Sequence, residues 1–221
     1  MRALIFAAGR GERMRPLTEA TPKPLLKAGG KRLIEWHLEN LARADVRDVV
    51  INTSHLGEQF PAALGDGARW GLRIAYSHEG PEPLETGGGM LHALPVLGAD
   101  PFIAVNGDIF TDFDFSTLPQ NPAGLAHLVL VNNPPHSPRG DFALRDAHVF
   151  DEPRLTFAGI GVYRPELLDG HRPGKFGIVP ILRAAMRAGK VSGEHYRGAW
   201  SDIGTPQRLA ELDARLRTAA Q

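Results

Sequence analysis

Gly9, Gly11, Arg13, Arg15 and Lys23 stand close together in the opening segment MRALIFAAGRGERMRPLTEATPKPLL, where an apolar run at 3–8 gives way to a loop. Glycines remove side chains where a backbone must approach an anion and turn its N–H groups toward it. The neighbouring cations add positive charge to the same loop. A polyphosphate suits such a site, although a bare Gly-x-Gly also fits an ordinary turn from strand to helix. Two familiar phosphate loops are excluded, because no Gly-Lys-Ser/Thr closes the segment and no third glycine opens a helix. Pro22 and Pro24 flank Lys23, a pattern that predicts extended chain rather than helix there. Arg15 serves equally as a reinforcement of Arg13 or as an ion-pair partner of Glu12 or Glu19.

Two acids sit in suggestive places. Asp108 follows the apolar run 102–105, and Asp202 lies in a turn far along the chain. Paired carboxylates from distant segments are what a Mg²⁺ ion with phosphate ligands requires, since it takes few hard oxygen donors from the protein. A lone Asp after a strand is more often a turn former or a helix cap. The chain has no cysteine, which excludes disulfides, thiolate nucleophiles and cysteine metal sites. His55, His78, His136, His171 and His195 lack zinc spacing, and His37 and His92 fall in predicted helices, where core or surface roles are commoner.

The elements that must position these residues follow from periodicity. Strands are predicted at 3–8, 48–51, 72–76 and 102–105, with helices at 33–41, 56–64 and 87–94 between them. Such alternation gives an α/β class with a mixed, mostly parallel central sheet and helices on both faces. Ligands of such sheets sit at the carboxyl ends of the strands. The second half is mixed: strand-like runs at 125–131, 141–144, 148–150 and 155–163, then helices at 178–188 and 206–216. The turn-rich 132–138 carries no shift of composition or charge, so it is expected to be a loop within one domain spanning 1–221.

Lys plus Arg and Asp plus Glu number 25 each, so no bulk basic field recruits nucleic acid or an anionic membrane. A chain of 221 residues is long enough to bury about 70% of its unfolded surface. The N-terminal apolar run is too brief for a secretory signal, and no run approaches the roughly 20 residues that span a bilayer. A cytoplasmic protein is the expectation.

Taken together, Gly9-x-Gly-x-Arg-Met-x-Pro-Leu-Thr18 and Thr21-Pro-Lys-Pro24 resemble the opening of the sugar-1-phosphate nucleotidyltransferases. The resemblance continues through Leu84-Glu-Thr-Gly-Gly88, Val105-Asn-Gly-Asp108 and Trp200-Ser-Asp-Ile-Gly-Thr205. It implies a Rossmann-like fold, a nucleotide-binding half at 1–112 and a sugar-binding half at 113–221. It also implies attack by a sugar 1-phosphate on the α-phosphorus of a nucleoside triphosphate, with Mg²⁺ as cofactor. Arg13 would then meet the β,γ-phosphates and Lys23 the α-phosphate, while Asp108 and Asp202 hold the metal. Arg13, Lys23 and Asp108 form the catalytic set. The backbone from Gly9 to Gly11 lines the triphosphate, and Glu12, at the family's usual Thr position, offers its backbone.

Base recognition falls by the same resemblance to backbone groups of Ala7, Ala8, Thr86 and Gly87, although a glycine triplet at a helix start is equally a packing device. Asn106, Gly140 and Asp141 take the places that hold the sugar, with Asp141 otherwise a turn residue paired to Arg139. Phe157 stands where the family carries a sugar-contacting Asn, and Asp151-Glu-Pro153 replaces its Glu-Lys-Pro; both bear on the acceptor. The resemblance runs furthest toward members that join UTP to N-acetylmuramate α-1-phosphate in cell-wall recycling, with Arg139 as a candidate cation for the lactyl carboxylate. Guanylyl transfer to mannose 1-phosphate and thymidylyl or uridylyl transfer to glucose 1-phosphate are the alternatives. A non-catalytic relative that binds nucleotide sugars would be expected to lack Arg13, Lys23, Asp108 or Asp202, and all four are present. A monomer or simple dimer is expected.

Overall fold

The apolar run after Met1 forms strand β1 (Arg2–Phe6), shorter than the predicted 3–8 because the Ala7 N–H turns to donate to Asn52 Oδ1 at 2.6 Å. The computed structural model describes residues 1–219. The predicted loop after β1 contains the tight helical turns Glu12–Met14 and α1 (Leu17–Ala20), and the extended chain predicted at Lys23 is instead a third such turn, Lys23–Leu25. Proline there takes N-terminal helical positions, where its missing N–H has no partner to lose.

The small hairpin β2 (Lys27–Ala28) and β3 (Lys31–Arg32) leads into α2 (Leu33–Arg43), whose first turn is capped by Glu35 Oε2 accepting from the Arg32 N–H at 2.6 Å. Next come β4 (Asp48–Thr53), α3 (Gln59–Leu64), β5 (Arg73–His78), α4 (Glu85–Leu97), β6 (Phe102–Asn106) and β7 (Ile109–Thr111). The second half supplies β8 (Ala126–Val131), β9 (Phe142–Arg145), β10 (His148–Tyr163), α5 (Val179–Arg187), β11 (Val191–Tyr196), β12 (Trp200–Asp202) and α6 (Pro206–Ala219). The two strands predicted at 148–150 and 155–163 are one, interrupted by a register shift between Phe150 and Leu155 that accommodates Pro153.

The main sheet has the order β11-β8-β10-β6-β1-β4-β5, with β9 paired to β10. Only β10 runs against its neighbours, so the sheet is mixed and mostly parallel, as expected for a Rossmann-like α/β fold. On one face Ile34, Leu38, Leu41, Phe60 and Leu64 of α2 and α3 cover Ala3, Ile5, Val49 and Ile103. On the other, Met90, Ala93 and Leu97 of α4 and Leu182 and Met186 of α5 cover Leu4, Val50 and Ala104. Each Leu, Ile, Val, Phe and Met among them, fully buried, contributes about 1.5–3 kcal/mol of transfer free energy.

Outside the main sheet, β7 pairs antiparallel with β12, in register Asp202 with Ile109. Sequence periodicity shows neither strand, since each is only three residues long. The carbonyls along β7 are satisfied from α2: His37 Nε2 donates to Ile109 O at 2.9 Å and Asn40 Nδ2 to Thr111 O at 3.1 Å. Two polar side chains on the buried side of an amphipathic helix therefore do what a further strand would otherwise do. Among the described residues no helix is long and apolar enough to cross a membrane.

His37 is fully buried and its Nδ1 has no partner. Burial pushes its pKa down from 6.5 to about 4, against smaller raising effects of the Ile109 bond and Asp108. Below pH 6.5 the unfolded chain therefore binds a proton that the folded chain refuses. Folding stability from this group is intact above pH 6.5 and is lost as pH falls toward 4, by on the order of 3 kcal/mol in all. His37→Gln, which keeps a donor for Ile109, is expected to flatten that part of the acid dependence in urea unfolding series. Parallel pH profiles for parent and variant would refute the assignment.

Candidate functional site

The loops at the carboxyl ends of β1, β4, β5 and β6 enclose a cleft of about 890 Å³. Ala7, Ala8, Gly9, Gly11, Glu12, Arg13, Lys23, Thr86, Asn106 and Asp108, all singled out from sequence, line it. The opening loop is shaped by what lies beneath it. Gly11 adopts φ +64, and a Cβ there would stand 2.8 Å from Thr18 Cγ2, so only glycine fits without strain. Its carbonyl accepts from Met14 N and Thr18 Oγ1, each at 2.8 Å. Met14 is buried against Leu33 and Ile203, which leaves Arg13 on the upper side of the same turn, exposed in the cleft. Arg15 is exposed and lies outside the lining.

Lys23 is almost completely buried, and its Nζ donates to Asp108 Oδ2 at 2.5 Å. Asp108 is brought to this spot by the turn between β6 and β7. Gly107 N donates to Phe6 O at 2.9 Å, and a Cβ on Gly107 would stand 2.7 Å from that carbonyl. The glycine lets the Asp108 turn close against the end of β1. Ile203 N donates to Asp108 O at 3.0 Å, so β12 delivers Asp202 to the adjacent strand. The Asp202 carboxylate is not itself part of the cleft lining; it accepts from Arg208 Nη1 at 2.7 Å and faces His136 Nε2 at 3.2 Å.

Among the described residues no group of three or more His, Asp or Glu side chains forms a ready metal cage. The donor set nevertheless fits a hard cation that takes most of its ligands from phosphate and water. Asp108 and Asp202 are partly exposed carboxylates anchored on paired segments, each neutralised by a neighbouring cation.

Other predicted residues lie elsewhere. Gly87 lies outside the cleft lining: its N–H donates to Phe176 O at 3.0 Å, and the Phe176 ring fills the space a Cβ would take. Thr86 lines the cleft, while its Oγ1 accepts from Ile178 N at 3.1 Å. Gly140 and Asp141 lie outside the cleft lining, because the Asp141 carboxylate accepts from Phe157 N at 2.9 Å and so fastens this loop to β10. Arg139 is exposed and likewise outside it. Asn106 lies across Gly159, where a Cβ would stand 2.5 Å from Asn106 Nδ2.

Sequence patterns missed Asn52 and Glu79. Asn52 takes the Ala7 N–H on Oδ1 and donates through Nδ2 to Glu79 Oε1 at 2.5 Å; Glu79 Oε2 accepts from Leu84 N at 2.7 Å. Burial pushes the Glu79 carboxyl up, and its hydrogen bonds from Leu84 and Asn52 oppose the shift. One relay thus joins the loops after β1, β4 and β5. The glycine triplet belongs to the same construction. Gly88 admits the Gly174 carbonyl, and Gly89 admits the Asn52–Glu79 pair, with Asn52 Nδ2 2.7 Å from where its Cβ would be. Only the three consecutive glycines hinted at this close packing.

A family model described as Nucleotidyl transferase matches residues 2–143. An N-acetylmuramate alpha-1-phosphate uridylyltransferase of Neisseria meningitidis serogroup B is 51% identical over 225 aligned residues, 97% of each chain. One of the same name from Caulobacter vibrioides is 31% identical, covering 98% of this chain and 97% of its own. A solved Bacillus anthracis structure, described as a glucose-1-phosphate thymidylyltransferase in complex with sucrose, matches with TM-score 0.84 at 23% identity. It covers 98% of this chain and 95% of its own and supports the fold.

Gly89→Ala puts a methyl group onto the Asn52–Glu79 bond, so it should cost about 1–3 kcal/mol in denaturant unfolding, the penalty of breaking a half-buried hydrogen bond. Adding Glu79→Ala to that variant should recover part of the loss by making room. Gly89→Ala that instead stabilised the protein by the full ~1 kcal/mol alanine gains over glycine within a helix would contradict the tight packing described.

Proposed function

Because this chain belongs to the nucleotidyl transferase family, we propose that it transfers UMP from UTP to N-acetylmuramate α-1-phosphate, giving the UDP-sugar and pyrophosphate. The observation that carries the chemistry is the buried Lys23 paired to Asp108 beneath the Gly9–Gly11–Arg13 loop, in one cleft. Support for the substrates is the extended similarity to the Neisseria and Caulobacter enzymes that bear that name.

An oxygen of the sugar 1-phosphate forms a bond to the α-phosphorus as the bond from that phosphorus to the β-phosphate's bridging oxygen breaks. The electron pair leaves with pyrophosphate. The attacking phosphate is already ionised at neutral pH, so no protein base or nucleophile is required. The protein's task is to bring two polyanions together in line and neutralise their shared charge. The Gly9–Gly11 backbone receives the triphosphate, Arg13 reaches its β,γ-end and the leaving pyrophosphate, and Lys23 transfers its charge from Asp108 to the α-phosphate. Ala7, Ala8 and Thr86 border the base. Asn106 faces the acceptor from the end of β6, with Gly140 and Asp141 shaping its outer rim.

Asp108 and Asp202 would hold Mg²⁺, which when bound supplies Lewis-acid neutralisation of the phosphates. Arg208 then acts as the counter-charge, and its contact together with that of His136 keeps Asp202 oriented.

Pyrophosphate release measured over a grid of UTP, TTP, GTP and ATP against N-acetylmuramate, N-acetylglucosamine, glucose and mannose 1-phosphates tests the substrates. UTP with N-acetylmuramate α-1-phosphate should give the highest kcat/KM, and a different best pair would displace this assignment. Arg13→Ala and Asp108→Ala should each lower kcat by about 10²–10³-fold, as loss of a transition-state charge stabiliser does. Near-parental turnover in either variant would refute its role.

A further inference from the structure

Four cations line the cleft among the described residues: Arg10, Arg13 and Lys23 from the opening segment, and Lys175 from the second half of the chain. The first three accompany the phosphate loop. Lys175 does not, and its side chain makes no ion pair with a described residue.

It is also not an ordinary surface lysine on a loose loop. Phe176 N donates to Leu84 O at 3.1 Å, and Phe176 O accepts from both Gly87 N and Gly88 N at 3.0 Å. Ile178 N donates to Thr86 Oγ1, and the Phe176 ring stacks on His171 at 5.5 Å between centroids. On the other side of Lys175, the Gly174 carbonyl packs against Gly88 in a space no side chain could share. The segment is therefore clamped to the N-terminal turn of α4 on both sides of the lysine, and the exposed ammonium is presented to the cleft from a fixed backbone. Carboxylates of the lining, Glu82 and Glu85 among them, border the same rim. They favour a cation here and disfavour a second anion unless that cation meets it.

We propose that Lys175 is a specificity-determining residue that pairs with a carboxylate on the acceptor sugar, here the lactyl ether carboxylate of N-acetylmuramate α-1-phosphate. This rests on the acceptor assigned above. The acceptor's 1-phosphate must lie against the reacting α-phosphorus, beside Lys23, which leaves the lactyl carboxylate as its second, separate anion, without a cation among those assigned to the triphosphate. Lys175 is the lining cation from the opposite half of the chain and fills that role in place of Arg139.

The test compares kcat/KM for N-acetylmuramate α-1-phosphate, the same compound with its lactyl carboxylate converted to the carboxamide, and N-acetylglucosamine α-1-phosphate, all with UTP. The parent should favour the carboxylate over both others. Lys175→Ala should reduce that preference about 10- to 100-fold, the worth of one hydrogen bond to a charged group, while N-acetylglucosamine α-1-phosphate is used as before. Lys175→Arg should restore most of it. If Lys175→Ala weakens all three acceptors equally, the lysine serves the shared phosphate or the fold and the proposal fails. It fails equally if the preference is unchanged. A parent that shows no preference for the muramate compound instead overturns the acceptor assignment, a result visible before any variant is compared.

Discussion

A lysine ammonium withdrawn from water is stable only beside an anion, and the arrangement around Lys23 answers that single demand. Asp108 satisfies it at 2.5 Å, and much of the surrounding architecture serves to bring the two together. Short helical turns bury Lys23 from one side. Gly107 closes the Asp108 turn against the end of β1 from the other, while β7 is held by α2 and β12. The pair also shows how a chain with equal numbers of acids and bases concentrates a cation in one cleft. Its positive charge is local, buried under the loop, while the carboxylate that pairs with it stays partly exposed to the cleft.

The loop and Asp108 were legible in the sequence because each belongs to a run of residues with a distinctive type and spacing, whereas the Asp202 carboxylate, equally conspicuous in sequence, turns to Arg208. Gly9, Gly11, Arg13, Lys23, Asn106 and Asp108 all reach one cleft. Asn52 and Glu79 were not legible, since an Asn ending one strand and a Glu following the next become a relay only when β4 and β5 lie side by side. Lys175 was hidden for a similar reason: its position depends on Phe176 docking on glycines almost 90 residues earlier in the chain. Strand boundaries failed where a local rule met a tertiary one. Pro153 reads as a break, yet β10 continues through it by shifting register.

The glycine triplet of α4 shows how several demands can converge on one turn of helix. Gly87 receives Phe176, Gly88 the Gly174 carbonyl, and Gly89 the Asn52–Glu79 bond. Three consecutive glycines weaken a helix on its own, by about 1 kcal/mol each relative to alanine. The packed partners must therefore more than offset that loss. One short stretch thus links the Asn52–Glu79 relay in the cleft wall to the segment that carries Lys175 on its rim.

The pairing of β7 with β12 also bears on the order in which the protein matures on the ribosome. Partners about 90 residues apart cannot meet until most of the chain has emerged. A nascent polypeptide reaching only as far as α5 already contains the Gly9–Lys23 loop and Asp108, but neither Asp202 nor the strand that carries it. Until that last segment is made, the Asp108 turn lacks its hydrogen bond from Ile203 N and β7 lacks its strand partner, so one wall of the cleft is finished only when synthesis nears its end.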